Sequence, residues 1–445
     1  MRCGTSPVGS PNVVNGSSQE PTNGTDTPLK FKSIRGTKDV LPGEVEQWQF
    51  VEETIRRVMS TFNYSEIRTP VFEQTGLFAR SIGELTDIVS KEMYTFKDRS
   101  EESLTLRPEG TASVLRAYIQ NNLGEQAPLT KLYYIGPMFR QERPQAGRLR
   151  QFHQFGAEAL GSSSPQLDAE MMLLALTVYR ELGIQEFSLK INSVGCERCR
   201  PPYKQKLLEA LQAVRSKLSP ESQARVDQNP LRVLDSKDEN DQALTKSAPL
   251  MKDHLCAECS QHFAEVQTLL QATSTPYVID GRLVRGLDYY TKTAFEITST
   301  ALGSQDALTG GGRYDLLVEE LGGKQTAGVG FAAGIERLLM VLSKVGSQRP
   351  IDLRPVLFIV TIDEEARRWA FTKAHTLRAK GLRVEVDYLG RSVKAQMREA
   401  NRQEAHYIVV IGGTELQSQS ARLKNMQSGD ETAVNLNEIE SALQR

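Results

Sequence analysis

Hydrophobic positions recur at spacings of three and four from Trp48 through Val51, Ile55 and Val58 to Phe62. That period lays one apolar stripe along a helix over residues 45–62. The run YSEIRTPVFEQ follows and reads as a strand with Pro70 inside it. Proline removes a ladder donor, so this strand is expected at a sheet edge or a subunit boundary. Residues 98–103 form a charged hairpin turn, and SLTLRPEGT leads into a helix carrying Leu115 and Ile119. Paired strands are expected around 131–140 and 150–160, a helix near 166–183 and a strand around 187–193.

Between 196 and 280 the pattern becomes helical and highly charged, with two Cys-x-x-Cys pairs. Strand-like sequence resumes at GRLVRGLDYYTKTAFEI. A glycine-rich turn (Gly310, Gly311, Gly312) comes next, then GVGFAAGIERLLMVL, a strand that turns into a helix. The 196–280 segment is therefore read as an insertion into a larger domain. From Pro355 strands alternate with helices: VLFIVTI, EEARRWAFTKAHTLRAK, LRVEVDY, SVKAQMREANRQ and AHYIVVIGG. This alternation implies a small α/β domain with a largely parallel sheet. Its linker, SKVGSQRPIDLRP, has the polar, proline-bearing character of a boundary.

Composition narrows the classes. The chain of 445 residues is 39% hydrophobic and 24% charged, and no apolar run approaches the ~20 residues of a membrane span. A net charge of −1 means that any nucleic acid must be held by local basic patches. One such patch is Arg391, Lys394, Arg398 and Arg402 on the helix expected at 391–403. Five cysteines fit a reducing, cytoplasmic location better than a disulfide scaffold. Residues 1–29, without aromatics and rich in Gly, Ser, Pro, Thr and Asn, read as a disordered tail.

The chemistry begins in FRQERPQAGRLRQFHQFG, from Phe139 to Gly156. Arg140 and Glu142 share a strand face, as do Gln154 and Glu158 on the returning strand. Such a hairpin can hold a nucleotide phosphate with Arg140 and present Gln154 and Glu158 to a small cationic or amphoteric substrate. TLRPEGT offers Glu109 and Thr111 before a helix; alone they are an ordinary first-turn acid and N-cap. LVRGLDYY offers Arg285, Asp288, Tyr289 and Tyr290, which alone could be a partly buried strand with an internal ion pair. GIERL puts Arg337 in the first turn of a helix, where a cation opposes the dipole unless an anion lies nearby. Their occurrence together, in this order, is what separates them from ordinary surface residues.

In these motifs the chain resembles the class II aminoacyl-tRNA synthetases, and within them the histidyl-tRNA synthetase family. EIRTPVFE with Pro70 is similar to the dimer-forming first motif, the Phe139–Gly156 run to the second, and GVGFAAGIERL to the third. LVRGLDYY and GGGRYD look like signatures of the histidine-specific branch. The resemblance implies an α+β catalytic domain on a mixed, mainly antiparallel sheet, in two parts (30–195 and 281–347). It also implies a helical insertion domain (196–280) and a C-terminal anticodon-binding α/β domain (355–445). The implied activity charges tRNA with histidine: ATP with Mg²⁺ forms histidyl-adenylate, and histidine is then passed to the 3′-terminal adenosine. The implied assembly is a homodimer. Arg140 and Arg337 would hold the ATP phosphates, with Glu142 beside the adenine or ribose. Glu109, Thr111 and Gln154 would take the α-amino and carboxylate groups of histidine. Glu158 and Tyr290, with Tyr289 and Tyr314 lining the pocket, would read the imidazole. Arg285 would be the catalytic arginine, against the histidine carboxylate and the α-phosphate.

An imidazole presents a donor and an acceptor, so a selective site needs a carboxylate and a hydroxyl on opposite ring edges. A second reading is a silent histidine-binding regulator of ATP phosphoribosyltransferase. That paralogue lacks the C-terminal domain and erodes the ATP arginines, whereas Arg140, Arg285, Arg337 and residues 355–445 are all present here. Cys196, Cys199, Cys256 and Cys259 supply the four thiolates of a closed structural zinc site. The 56 residues from 200 to 255 make a long gap for a zinc ribbon, so four reduced cysteines without metal stand as the alternative.

Overall fold

In the larger unit, strands cross an eight-stranded sheet in the order Ser65–Glu66, Thr130–Phe139, Gln151–Leu160, Gly328–Gly334, Ala307–Arg313, Thr291–Thr298, Ser188–Ser193, Val278–Ile279. The two outermost pairings are parallel and the five between them antiparallel. The sheet is thus mixed and mainly antiparallel, as the motifs imply. The computed structural model describes residues 31–443 apart from 84, 85, 87, 146, 237, 285, 286, 288, 304–306 and 347–351. Arg285, Asp288 and the 1–29 tail lie outside the described residues.

One face of the sheet is covered by the helices Val45–Thr61, Pro165–Glu181 and Ala257–Ala272. Val51, Ile55, Met172, Leu176, Val266 and Leu270 pack there with Phe155, Phe295 and Phe331 of the strands. The stripe on the first helix is spent in this core: Trp48 is 8% exposed and Val51 and Ile55 are fully buried. It needs no second chain to cover it. Pro70 breaks the expected strand, leaving Ser65–Glu66 at the sheet edge and Phe72–Gln74 in a separate three-stranded sheet. Arg107 holds the bend, donating to the carbonyl oxygens of Thr69 (2.9 Å) and Pro137 (2.9 Å).

Gly310, Gly311 and Gly312 lie inside the strand Ala307–Arg313 rather than in a turn. A Cβ on Gly311 would meet the Phe295 ring at 2.5 Å and the Gly330 carbonyl oxygen at 2.6 Å. The glycines are there for close strand approach, a need the one-dimensional pattern does not distinguish from a turn.

The 196–280 segment divides its packing. Tyr203, Leu207, Leu211, Val226, Val233 and Met251 build a small core of their own. The helix Ala257–Ala272 instead docks on Pro165–Glu181, where His262 Nε2 lies 3.1 Å from the buried Asp168 carboxylate. Asp168 also accepts from the fully buried Arg313 guanidinium.

The chain divides into units Met1–Ser347 and Gln348–Arg445. The smaller unit has strand order Val384–Val386, Leu357–Thr361, Tyr407–Ile411, Ser420–Asn425, Glu431–Asn435. The first three are parallel and the last two antiparallel. Of its four basic candidates, Arg391 pairs with Asp387 and Glu399, and Arg402 pairs with Glu399. Only Lys394 and Arg398 remain as exposed cations outside such pairs among the described residues. No described helix is long and apolar enough to cross a membrane.

Candidate active site

The sheet face opposite the helical core carries a cleft of about 420 Å³. Its geometry follows from strand parity: Phe155 points into the core, so Gln154 and Glu158 point the other way. The two lie four residues apart on one strand, a separation of ~13 Å. In the neighbouring strand Gly334 pairs with Gln154 and Gly330 with Glu158. A Cβ at position 330 would stand 1.7 Å from Glu158 Oε2, so the glycine is what leaves room for the carboxylate.

At the Glu158 end the site is tyrosine-rich. Glu158 is fully buried and accepts from the Thr111 hydroxyl (2.7 Å) and from the Tyr314 hydroxyl. Burial pushes its carboxyl up to about 8, against the opposing pull of those two hydrogen bonds. Tyr289 packs on Tyr290 (4.7 Å between centroids) and edge-on to Tyr314 (5.7 Å). Glu109 accepts from the backbone N–H groups of Thr111 (2.7 Å) and Ala112 (2.9 Å), capping the helix Thr111–Gln120. The capping role thus falls to Glu109, just outside the helix, and Thr111 is the first helical residue, its hydroxyl turned to Glu158. Burial raises the Glu109 carboxyl.

The other end is cationic. Arg140 sits over the Phe152 ring at 5.3 Å and donates through Nε to the Pro108 carbonyl oxygen at 3.0 Å. Arg337, in the first turn of the helix Ile335–Val345, donates through Nε to the Ala307 carbonyl oxygen at 2.8 Å. Glu142 lies 3.6 Å from Arg148, and burial raises its carboxyl. Between the ends stands Gln154, whose buried Oε1 accepts no hydrogen bond from the protein.

Residues 36–338 match the family described as histidyl-tRNA synthetase, and residues 356–445 match the anticodon binding domain. The chain is 50% identical over 405 residues to a histidine–tRNA ligase of Desulforamulus reducens, covering 91% of this chain and 97% of that one. It is 49% identical to one from Halothermothrix orenii, covering 94% and 100%. The apo histidyl-tRNA synthetase of S. aureus superimposes with a TM-score of 0.80 at 38% identity, over 93% of this chain and all of that one. The chain belongs to the histidyl-tRNA synthetase family.

Of the synthetase residues expected from sequence, Glu109, Thr111, Arg140, Glu142, Gln154, Tyr289, Tyr290, Tyr314 and Arg337 line one cleft. Glu158 is not on the lining; it stands one layer behind, under Thr111 and Tyr314. Arg285 is outside the described residues. Two further residues line the cleft without a signal in the sequence. Glu336 lines it and accepts from the His153 backbone N–H at 2.8 Å. Arg232 reaches it from the 196–280 segment, and no local pattern marks that residue.

Proposed function

We propose that this cleft activates histidine with ATP, and that the adenylate is then discharged onto the 3′-terminal adenosine of the tRNA. The observation that carries the reading is the two-ended cleft: Gln154 and Glu158 share one strand face, with arginines at one end and hydroxyl-bearing side chains at the other. Histidine lies with its imidazole toward Tyr290 and, behind Thr111 and Tyr314, toward Glu158. Gln154 Oε1, with Glu109, takes the α-amino group. ATP extends toward Arg140 and Arg337, with Glu142 beside the adenine or ribose. A histidine carboxylate oxygen attacks the α-phosphorus in line; the new P–O bond forms as the bond to the β-phosphate breaks and pyrophosphate leaves. Such a step needs positioning and charge neutralisation more than covalent help. Arg285, by its place in LVRGLDYY, is assigned to the α-phosphate. Mg²⁺ arriving with ATP would find an oxygen donor in Glu296 and would supply further neutralising charge. The regulatory reading is disfavoured by the retained arginines and by the match of residues 356–445 to an anticodon-binding domain.

Residues 355–445 are assigned to the tRNA anticodon. Removing residues from 348 onward should spare histidine-dependent pyrophosphate exchange and lower tRNA charging by about 10²-fold, through lost phosphate contacts. Charging at the full-length rate by the truncated protein would exclude the assignment. With Arg391 and Arg402 neutralised internally, the contribution of that helix reduces to Lys394 and Arg398.

The same reading carries a homodimer and a cytoplasmic location, the latter supported by the four described cysteines, none of which is in a disulfide. The small sheet and the residue leading into it offer a dimer surface, with Val71, Phe72 and Phe96 39%, 48% and 44% exposed. Sedimentation at micromolar concentration should give a dimer, and Phe72→Glu should shift it toward monomer. An active wild-type monomer at that concentration would contradict the assembly.

A further inference from the structure

We propose that Cys196, Cys199, Cys256 and Cys259 bind one tetrahedral zinc ion, and that this site fixes Tyr290 in the histidine pocket through Arg200. The second half rests on the histidine reading above; the first does not. The four sulfurs come from two segments far apart in sequence, yet all lie within 4.8 Å of one another. Cys196 Sγ is 3.6 Å from Cys199 Sγ and 3.9 Å from Cys256 Sγ. A tetrahedron with Zn–S bonds of about 2.3 Å has S···S edges of ~3.8 Å. A disulfide would bring two sulfurs to ~2.05 Å, and cysteines acting only as small hydrophobes would turn their sulfurs to the aliphatic side chains around them. Here they turn to each other, with the Cys256 backbone N–H donating to Cys199 Sγ at 3.1 Å. Donors to a ligating sulfur are the usual outer support of thiolate sites. Four thiolates around a divalent ion carry net charge −2; Arg198 and Arg200 stand in or beside the first segment of the cluster, and Lys292 meets Glu258 of the second. The cleft chemistry has no redox step, and a filled S₄ set leaves no position for water, so the site is structural zinc rather than catalytic metal.

The cluster is tied directly to the pocket. Gly195 adopts φ +69°, and a Cβ there would stand 2.0 Å from Met251 Cε, so the turn into Cys196 requires glycine. On either side of that turn, the Lys292 N–H donates to the Gly195 carbonyl (2.8 Å) and the Val194 N–H to the Lys292 carbonyl (2.7 Å). Arg200 directly follows Cys199; its Nε donates to the Val194 carbonyl at 3.0 Å and its terminal nitrogen to the Tyr290 carbonyl. From the second pair, Glu258 meets Lys292 at 3.0 Å. The first cysteine pair's segment therefore holds the backbone at 290–292, the second meets the Lys292 side chain, and Tyr290 lines the cleft. Without the ion the two pairs are no longer joined, and the position of Tyr290 loosens.

The test uses the full chain purified without chelator or metal resin. Elemental analysis should find about one zinc per chain, and cobalt exchanged into the wild-type protein should show the intense thiolate-to-metal absorption of a tetrahedral S₄ site. Cys256→Ser should lose the metal and raise the KM for histidine roughly 10-fold while leaving the KM for ATP within about twofold. Arg200→Ala, which removes the link and no ligand, should keep the zinc and show the same split between the two substrates. Less than about 0.2 zinc per chain with no cobalt spectrum, or stoichiometric iron, would overturn the zinc site. Zinc present with an unchanged histidine KM in Arg200→Ala would overturn the positioning role. Metal content is read without reference to histidine, so its failure is separable from failure of the histidine reading.

Discussion

Glu158→Gln lowers kcat/KM for histidine in adenylate formation by about 10³-fold, because a site built to hydrogen-bond a ligand loses that much when a buried partner is mismatched. Glu158 is fully buried, with Thr111 and Tyr314 donating to it. A carboxyl group presents at most one O–H donor and can accept through both oxygens, whereas an amide presents two N–H donors on one side. In the variant one of the two hydroxyls, or the imidazole N–H of the substrate, faces a donor. The KM for ATP changes little, since the cationic end is untouched. The same substitution has a signature in stability. Burial raises the Glu158 carboxyl from 4.5 to about 8, so between those values the folded protein holds a proton that the unfolded chain has released. Stability therefore falls as pH rises through that window. Glutamine cannot titrate, and the variant's melting temperature should fall less than the wild type's between pH 5 and pH 9. Equal slopes would show that burial does not raise the Glu158 carboxyl in the folded protein.

Arg140→Ala lowers the rate of adenylate formation by about 10²–10³-fold, the range for removing one donor aimed at developing charge. Histidine affinity changes little, because an interaction made mainly in the transition state is lost from kcat. The guanidinium is held on two sides, over Phe152 and by the Pro108 carbonyl. Arg140→Lys should therefore rescue poorly: an ammonium keeps the charge but cannot donate to Pro108 and also present a planar fork to phosphate. Stopped-flow or pyrophosphate-exchange rates, with histidine binding measured separately, decide it. A variant with wild-type turnover would remove Arg140 from the phosphates.

Much of this was legible because strand parity and motif order survive in one dimension. The face shared by Gln154 and Glu158, the helix start at Arg337 and the α/β alternation after Pro355 all follow from periodicity. Depth does not. Glu158 and Gln154 read alike along the strand, yet one lies behind Thr111 and Tyr314 and the other lines the cleft, because Gly330 opens a space only across the neighbouring strand. The stripe from Trp48 to Val58 announced an apolar partner without saying that the partner is the chain's own sheet. Gly310–Gly312 looked like a turn because close strand packing and turning both favour a missing Cβ. The arginines at 391 and 402 looked basic until Asp387 and Glu399 were seen beside them. Arg232 and Glu336 reach the cleft through tertiary contacts that no local spacing encodes.

Exchange of labelled pyrophosphate into ATP, run with each amino acid in turn, tests the central claim most directly. The two-ended cleft predicts Mg²⁺-dependent exchange with histidine alone, abolished to the extent given above in the Glu158 and Arg140 variants. Histidine binding with no exchange, or exchange supported equally by another amino acid, would contradict it.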